Sequence, residues 1–98
     1  MTNLSAPAAG VPGTITQLDA MAAELAGHGW AAQLVAPPGR LPRLHVQNPA
    51  VPAMSEYVYA QRRRDGTWTY WWPWAQPIAS APAEAAAIII RTLQATDP

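Results

Sequence analysis

The residues best suited to chemistry lie together in the second half of the chain. Three consecutive arginines, Arg62, Arg63 and Arg64, are followed closely by Trp68 and Trp71. Guanidinium groups bind phosphates and indoles stack on unpaired bases, so this pattern indicates a single-stranded nucleic-acid site. Arginines at a hairpin tip also keep strands soluble and protect a sheet edge. The formal net charge is zero, so we favour the charged tip and keep the nucleic-acid site as an alternative.

Tryptophan and tyrosine are concentrated between Tyr57 and Trp74. The chain has five tryptophans and three tyrosines. Such clusters form grooves that bind proline-rich peptides, cations or other small ligands. Aromatic residues at strand spacing are more often part of a hydrophobic core. We therefore expect most of these rings in the core, and an aromatic groove remains a second alternative.

No set of residues in the sequence forms a recognisable catalytic or metal site. The carboxylates are scattered singly, and Ser55 and Ser80 have no neighbouring base to activate them. The absence of cysteine excludes thiolate zinc sites, and two histidines are too few for an all-histidine site. His45 alternates outward on a predicted strand, which is typical of a solvated histidine. The sequence predicts no enzymatic activity, no cofactor and no metal.

The composition predicts one small domain. The chain has 98 residues, of which 12% are charged, about half of the roughly 25% that is typical. Its first thirteen residues contain no positive charge and no continuous apolar run, so they resemble neither a signal peptide nor a membrane anchor. We expect a cytoplasmic protein without a membrane partner.

The N-terminal part divides into a predicted tail and a predicted helix. Residues 1–13 are expected to be disordered and residues 14–96 to form the domain. Thr14 and Gln17 fit a capping box, and apolar residues then recur at helical spacing. The pattern predicts a helix from Thr16 to Ala26, ended by the glycines at positions 27 and 29.

The remaining pattern predicts four strands and a second helix. Together with the first helix this gives an α+β single domain, in which a four-stranded antiparallel meander has both helices on one face. Ser80 is expected to cap the second helix. The predicted elements are strands at Trp30–Ala36, Leu41–Gln47, Ser55–Arg64 and Thr67–Trp74, and a helix at Pro82–Ala95.

The Asp65-Gly66 pair predicts a two-residue type I′ turn between the third and fourth strands. This register pairs Tyr59 with Trp72 and Ala60 with Trp71, although a slip of one residue would exchange the faces. One face of the hairpin then enters the core beneath the helices, and it consists of Tyr57, Tyr59, Tyr70, Trp72 and Trp74. The opposite face is left exposed, and together with one helical residue it forms a predicted interaction surface: Val58, Ala60, Trp71 and Ile90.

Three segments carry a resemblance to a known group of proteins. They are Leu25-Ala-Gly-His-Gly-Trp30, Leu44-His-Val-Gln-Asn-Pro49, and Trp68–Trp74 continuing into Ala75-Gln-Pro-Ile78. The pattern resembles small actinobacterial proteins whose genes often lie beside those of helix-turn-helix regulators. The resemblance implies a regulatory or adaptor role and assigns no catalytic or binding residue. The element order is also similar to secretion-chaperone-like folds, which is an analogy of fold alone.

The sequence therefore predicts a non-enzymatic protein-interaction or regulatory adaptor module. The surplus apolar surface predicts that its partner is another protein or a second copy in a homodimer. One alternative is single-stranded nucleic-acid binding through Arg62, Arg63, Arg64 and Trp68. The second is an aromatic groove for a proline-rich peptide or a small ligand.

Overall fold

Two helices flank five consecutive strands in the computed structural model, which describes residues 10–94. The strands form one antiparallel sheet in the order β1-β2-β3-β4-β5. This α+β architecture confirms the predicted class, with one strand more than the sequence indicated. The elements are α1 Gly10–Gly27, β1 Ala31–Val35, β2 Arg43–Gln47, β3 Ser55–Arg62, β4 Trp68–Trp71, β5 Pro77–Ala79 and α2 Pro82–Leu93.

The additional strand, β5, lies between the predicted fourth strand and the predicted second helix. It has three residues and begins with Pro77. Proline lacks a backbone donor, so it occurs in edge strands and seldom in central ones. β5 lies at the edge of the sheet beside β4, which explains why a proline-containing segment can form a strand here.

Helix α1 begins earlier than the sequence predicted. Residues 10–13 belong to the helix, so the predicted tail is wrong for them, while residues 1–9 lie outside the described part of the chain. Thr14 is consequently inside the helix and is not its N-cap. The predicted end is confirmed, because α1 stops at Gly27. The Gly29 N–H donates to Ala26 and the Trp30 N–H donates to Leu25, a Schellman arrangement.

One hydrophobic core joins both helices to alternate residues of the sheet. It contains Leu18, Met21 and Leu25 from α1 and Ile89 and Leu93 from α2. Alternation along a strand directs every second side chain to the same face, so the helices cover one face and leave the other uncovered. The sheet and its connections contribute Leu44, Val46, Val58, Tyr70, Trp72 and Ile78 to this core.

The hairpin between β3 and β4 has a three-residue loop, so the predicted type I′ turn is wrong. The Arg63 N–H donates to the Thr67 carbonyl (2.6 Å), and the Gly66 N–H donates to the Arg63 carbonyl (3.0 Å). Gly66 alone in this loop has a positive φ, of 91°, as in a type I turn followed by a left-handed residue. Asp65 stabilises it by accepting hydrogen bonds from the Thr67 N–H and hydroxyl. We call residues Arg63–Thr67 the arginine turn.

The longer loop shifts the register by one residue and exchanges the partners across the hairpin. Tyr59 pairs with Trp71 and Ala60 pairs with Tyr70. Tyr70 and Trp72 are accordingly in the core, as predicted, whereas Trp74 is 54% exposed. The predicted core residues Tyr57 and Tyr59 are only partly buried, because alternation places them on the uncovered face with Trp71.

The predicted interaction surface is therefore divided between the core and the uncovered face. Val58 is completely buried in the core, which makes its assignment to an exposed surface wrong. Ala60 and Ile90 are partly buried and pack against that core. Of the four residues, Trp71 is the one that lies on the uncovered face without belonging to the core.

The C-terminal helix is held by a buried side chain that the sequence did not single out. Asn48 follows β2, and its amide nitrogen donates to the Leu93 carbonyl at the end of α2 (2.9 Å). Its Oδ1 accepts from the Ala50 N–H (2.8 Å).

At the start of α2 the N-cap is Ala81, so the predicted Ser80 cap is wrong. The Ser80 hydroxyl lies 3.3 Å from that of Thr69.

Candidate functional site

A groove of about 1130 Å³ lies where the start of α1 meets the β3–β4 hairpin. We call it the aromatic groove because rings dominate its walls. Arg62 is the charged residue among those that line it. The rings belong to Pro42, Tyr59, Trp68, Trp71, Trp72 and Pro73.

The groove follows the half of β3 that has no neighbour on its β2 side. β2 pairs with β3 only between Ser55 and Val58, whereas β4 pairs with residues 59–62. Pro42 is buried just before β2 begins, and proline cannot donate to a ladder. Within the described residues, the β2 side of residues 59–62 is therefore an open strand edge, and all four of these residues line the groove.

The start of α1 is fixed against the hairpin by two close contacts. A Cβ atom at Gly13 would lie 2.9 Å from a ring carbon of Trp68, so only glycine allows this approach without displacing the indole. The Tyr70 hydroxyl donates to the Gln17 carbonyl of α1 (2.6 Å). Tyr70 is fully buried, and this burial raises the pKa of its phenol to about 12. The protonated donor thus holds α1 in place at neutral pH.

Trp71 has the most unusual environment in the groove. Its indole lines the groove, and its Nε1 is buried without an acceptor in the described part of the chain. A buried donor without a partner costs about 1–3 kcal/mol. Native structures contain few such groups, so the environment of this indole requires an explanation.

A second tight turn borders the groove beyond β4. The Ala75 N–H donates to the Trp72 carbonyl (3.0 Å), and the Trp72 N–H donates to the Gln76 carbonyl (2.9 Å). Ala75 has a φ of 65°, a left-handed conformation that costs a residue with a Cβ about 1–2 kcal/mol. Trp74 stacks on Trp72 with ring centroids 5.2 Å apart, and its Nε1 donates to the Gln76 side chain (2.8 Å). We call residues Trp72–Gln76 the tryptophan turn.

The three arginines do not converge on one surface. Arg62 lines the groove opposite Trp68 in the ladder. Arg63 donates to the Thr69 hydroxyl (3.4 Å), and Arg64 is exposed in the arginine turn. The hydrogen bonds from Thr67, with a smaller contribution from the charge of Arg63, hold the pKa of the neighbouring Asp65 carboxyl below its usual value. Nucleic-acid binding stays a prediction. Of the three arginines that it would use, Arg62 lines the groove.

The uncovered face carries a second, smaller group of polar and aromatic residues. The Arg43 guanidinium lies 4.8 Å from the ring centroid of Tyr57, and the His45 ring lies 4.9 Å from the same ring. His45 is partly buried against Tyr57, which agrees with the predicted outward direction. In these contacts the Tyr57 ring packs against both neighbours.

Residues 10–94 contain no cluster of three or more histidine or acidic side chains that could bind a metal ion. None of the helices in this part of the chain is long and apolar enough to cross a bilayer.

The sequence did not predict the position of the groove. The signal that could have located it is Pro42, which stands immediately before a predicted hydrogen-bonding stretch of strand.

Comparison with known proteins returned no match to a family model, to a curated protein or to a solved structure. The resemblance to small actinobacterial proteins stays a prediction.

Proposed function

We propose that the protein is a non-enzymatic interaction module that binds an extended, proline-containing segment of a partner protein in the aromatic groove. The observation that carries this proposal is the indole of Trp71, which lines the groove while its N–H lacks an acceptor in the described part of the chain. The regulatory or adaptor role expected from the sequence is compatible with a module of this kind.

A polyproline II segment has the chemistry that this groove lacks. Its backbone carbonyls make no internal hydrogen bonds, so they are free to accept from the indole of Trp71 and from the open edge of β3. Its pyrrolidine rings pack against tryptophan and tyrosine faces, as in other aromatic grooves that bind proline-rich peptides. Such a segment is already extended, so little conformational entropy is lost on binding.

The charge of the groove favours a peptide over a nucleic acid, and its size admits one. Its volume of about 1130 Å³ lies just above the roughly 300–1,000 Å³ that is typical of small-molecule sites. Among the lining residues Arg62 alone supplies a charge, whereas nucleic-acid affinity depends on several phosphate contacts. An uncharged or weakly acidic peptide fits both features.

The proposal also requires that peptide binding change the orientation of the Trp71 indole. Because its N–H is buried in the free protein, a peptide carbonyl reaches it when the indole turns toward the groove. The new hydrogen bond removes the cost of the unpaired donor, which is about 1–3 kcal/mol.

We do not propose a homodimer through the interaction surface that the sequence predicted. That surface includes Val58, which lies in the core.

Isothermal titration with a peptide of ten prolines tests the proposal. We expect binding in the micromolar range for the full chain. Trp71→Phe keeps an aromatic ring and removes the donor, so it weakens binding by about tenfold, the equivalent of one hydrogen bond. The free variant should lose little stability, because deleting the unsatisfied donor offsets part of the packing lost with the larger ring.

Trp30→Phe is the matched control. Trp30 is also partly buried, does not line the groove, and should leave the affinity unchanged. Equal binding of a glycine–serine peptide of the same length would contradict proline recognition. Tighter binding of an alternating threonine–valine peptide would indicate strand addition to β3 instead. Displacement by a single-stranded oligonucleotide, in a salt-sensitive manner, would favour nucleic-acid binding.

A further inference from the structure

We propose that β1 pairs with β1 of a second copy of this chain, joining two five-stranded sheets into one continuous antiparallel sheet. β1 is the end strand on its side of the sheet and pairs only with β2 in the described part of the chain. An end strand presents a row of free backbone donors and acceptors, which other strands can pair with. This surface is separate from the aromatic groove.

The two edges of the sheet differ in how they are protected. β5 has three residues, begins with Pro77, and follows an irregular register between Tyr70 and Trp71. Short length, proline and irregularity all block pairing with another strand. β1 is Ala-Ala-Gln-Leu-Val, has no proline or charge, and pairs with β2 in a regular register along its length. Within residues 10–94, its outer edge carries none of the usual protection.

The sequence of β1 is complementary to itself when two copies run antiparallel. Centred on Gln33, the pairing places Ala31 opposite Val35 of the second copy and Ala32 opposite Leu34 of the second copy. A small residue therefore meets a larger one at each apolar position, without two large side chains colliding. Gln33 meets the second Gln33, and a side-chain amide has both a donor and an acceptor for such a pair.

The same pairing extends both faces of the sheet in a consistent way. Ala32 and Leu34 pack partly buried against the core on the helix-covered face. Gln33 is exposed and lies beside His45 on the uncovered face. Since alternation is preserved across an antiparallel ladder, the apolar layer of one copy continues into that of the other. A second copy is thus the partner that this strand fits.

Charge substitution at Gln33 tests this arrangement, because the two-fold axis places residue 33 opposite itself. Gln33→Glu and Gln33→Lys each bring like charges about 5 Å apart, and each should weaken self-association by about tenfold. Mixing the two variants places opposite charges together and restores association between unlike chains. Sedimentation equilibrium at concentrations up to the order of 100 µM measures these affinities, within the range expected of a modest interface.

The wild type should approach twice the chain mass of 10.5 kDa. Gln94→Glu, the same change at an exposed residue at the end of α2, should leave the affinity unchanged. Circular dichroism verifies that each variant is folded. A wild type that stays at 10.5 kDa over the whole range overturns the proposal. Charged variants that associate as well as the wild type, or a mixture that does not recover, overturn it as well.

Discussion

The arginine turn and the tryptophan turn have the same backbone geometry and almost unrelated sequences. Each has a three-residue loop closed by two backbone hydrogen bonds, and each places its third loop residue in the left-handed region. That residue is Gly66 in the first turn, with a φ of 91°, and Ala75 in the second, with a φ of 65°. The conformation costs glycine nothing and costs alanine about 1–2 kcal/mol.

The side chains of the two turns explain why one of them can do without glycine. In the arginine turn Asp65 accepts hydrogen bonds from Thr67 in an exposed loop. In the tryptophan turn Trp74 occupies the corresponding position, donates to Gln76 and stacks on the buried Trp72. Packing of two indoles therefore holds a strained residue beside the groove. Strain of this kind is often found at functional sites.

Replacing the glycine of the arginine turn should have the largest effect on stability. Gly66→Val introduces a branched side chain at a φ of 91°, and we expect the free energy of unfolding to fall by roughly 1–3 kcal/mol. Urea denaturation measures the change. Gly27→Ala is the control, since Gly27 has no neighbour within 4 Å of an added Cβ, and the change should stay within about 0.5 kcal/mol. Equal losses at both positions would refute the assigned turn.

The opposite change in the tryptophan turn should stabilise the protein. Ala75→Gly relieves the left-handed strain at a smaller entropic cost, so we expect a gain of about 0.5–1 kcal/mol. Ala83→Gly, at an exposed position of α2, is the matched control and should cost about 1 kcal/mol. A loss of stability at Ala75 similar to that at Ala83 would show that residue 75 is not strained.

The smallest difference between the turns should depend on pH. The pKa of Asp65 is held below 3.8 by Thr67, so its ionised form stabilises the fold above that value. This contribution is lost as the pH falls through the lowered pKa of the folded protein. We expect the wild type to melt slightly above Asp65→Asn at neutral pH and to converge with it in acid. Trp74→Phe alters the tryptophan turn instead. The difference in melting temperature between this variant and the wild type should therefore be the same at neutral pH and in acid, where Asp65 becomes protonated.

The contrast between the turns also shows how far the sequence could predict the structure. The Asp65-Gly66 pair correctly located a hairpin, and apolar spacing located both helices. The choice between a two-residue and a three-residue loop depended on hydrogen bonds from Thr67, which the pair alone does not encode. That single residue of register moved Val58 into the core and Tyr59 to the uncovered face.

The tryptophan turn had no glycine to reveal it, and this is why β5 was not predicted. Its left-handed residue is an alanine held by tertiary packing, for which local sequence has no signal. The aromatic groove was missed for a related reason, since it requires Gly13 to approach Trp68 across 55 residues of sequence. The arrangement of the candidate residues depended on these long-range contacts.

The most direct test of the groove is the indole N–H resonance of Trp71 in a ¹H–¹⁵N spectrum during titration with the ten-proline peptide. We expect this proton to move downfield as it gains a carbonyl acceptor, and the indole signals of Trp68 and Trp72 to shift with it. The Trp30 indole should stay in place. Peptide binding that leaves the Trp71 resonance unchanged, or no binding at all, would contradict the proposed function.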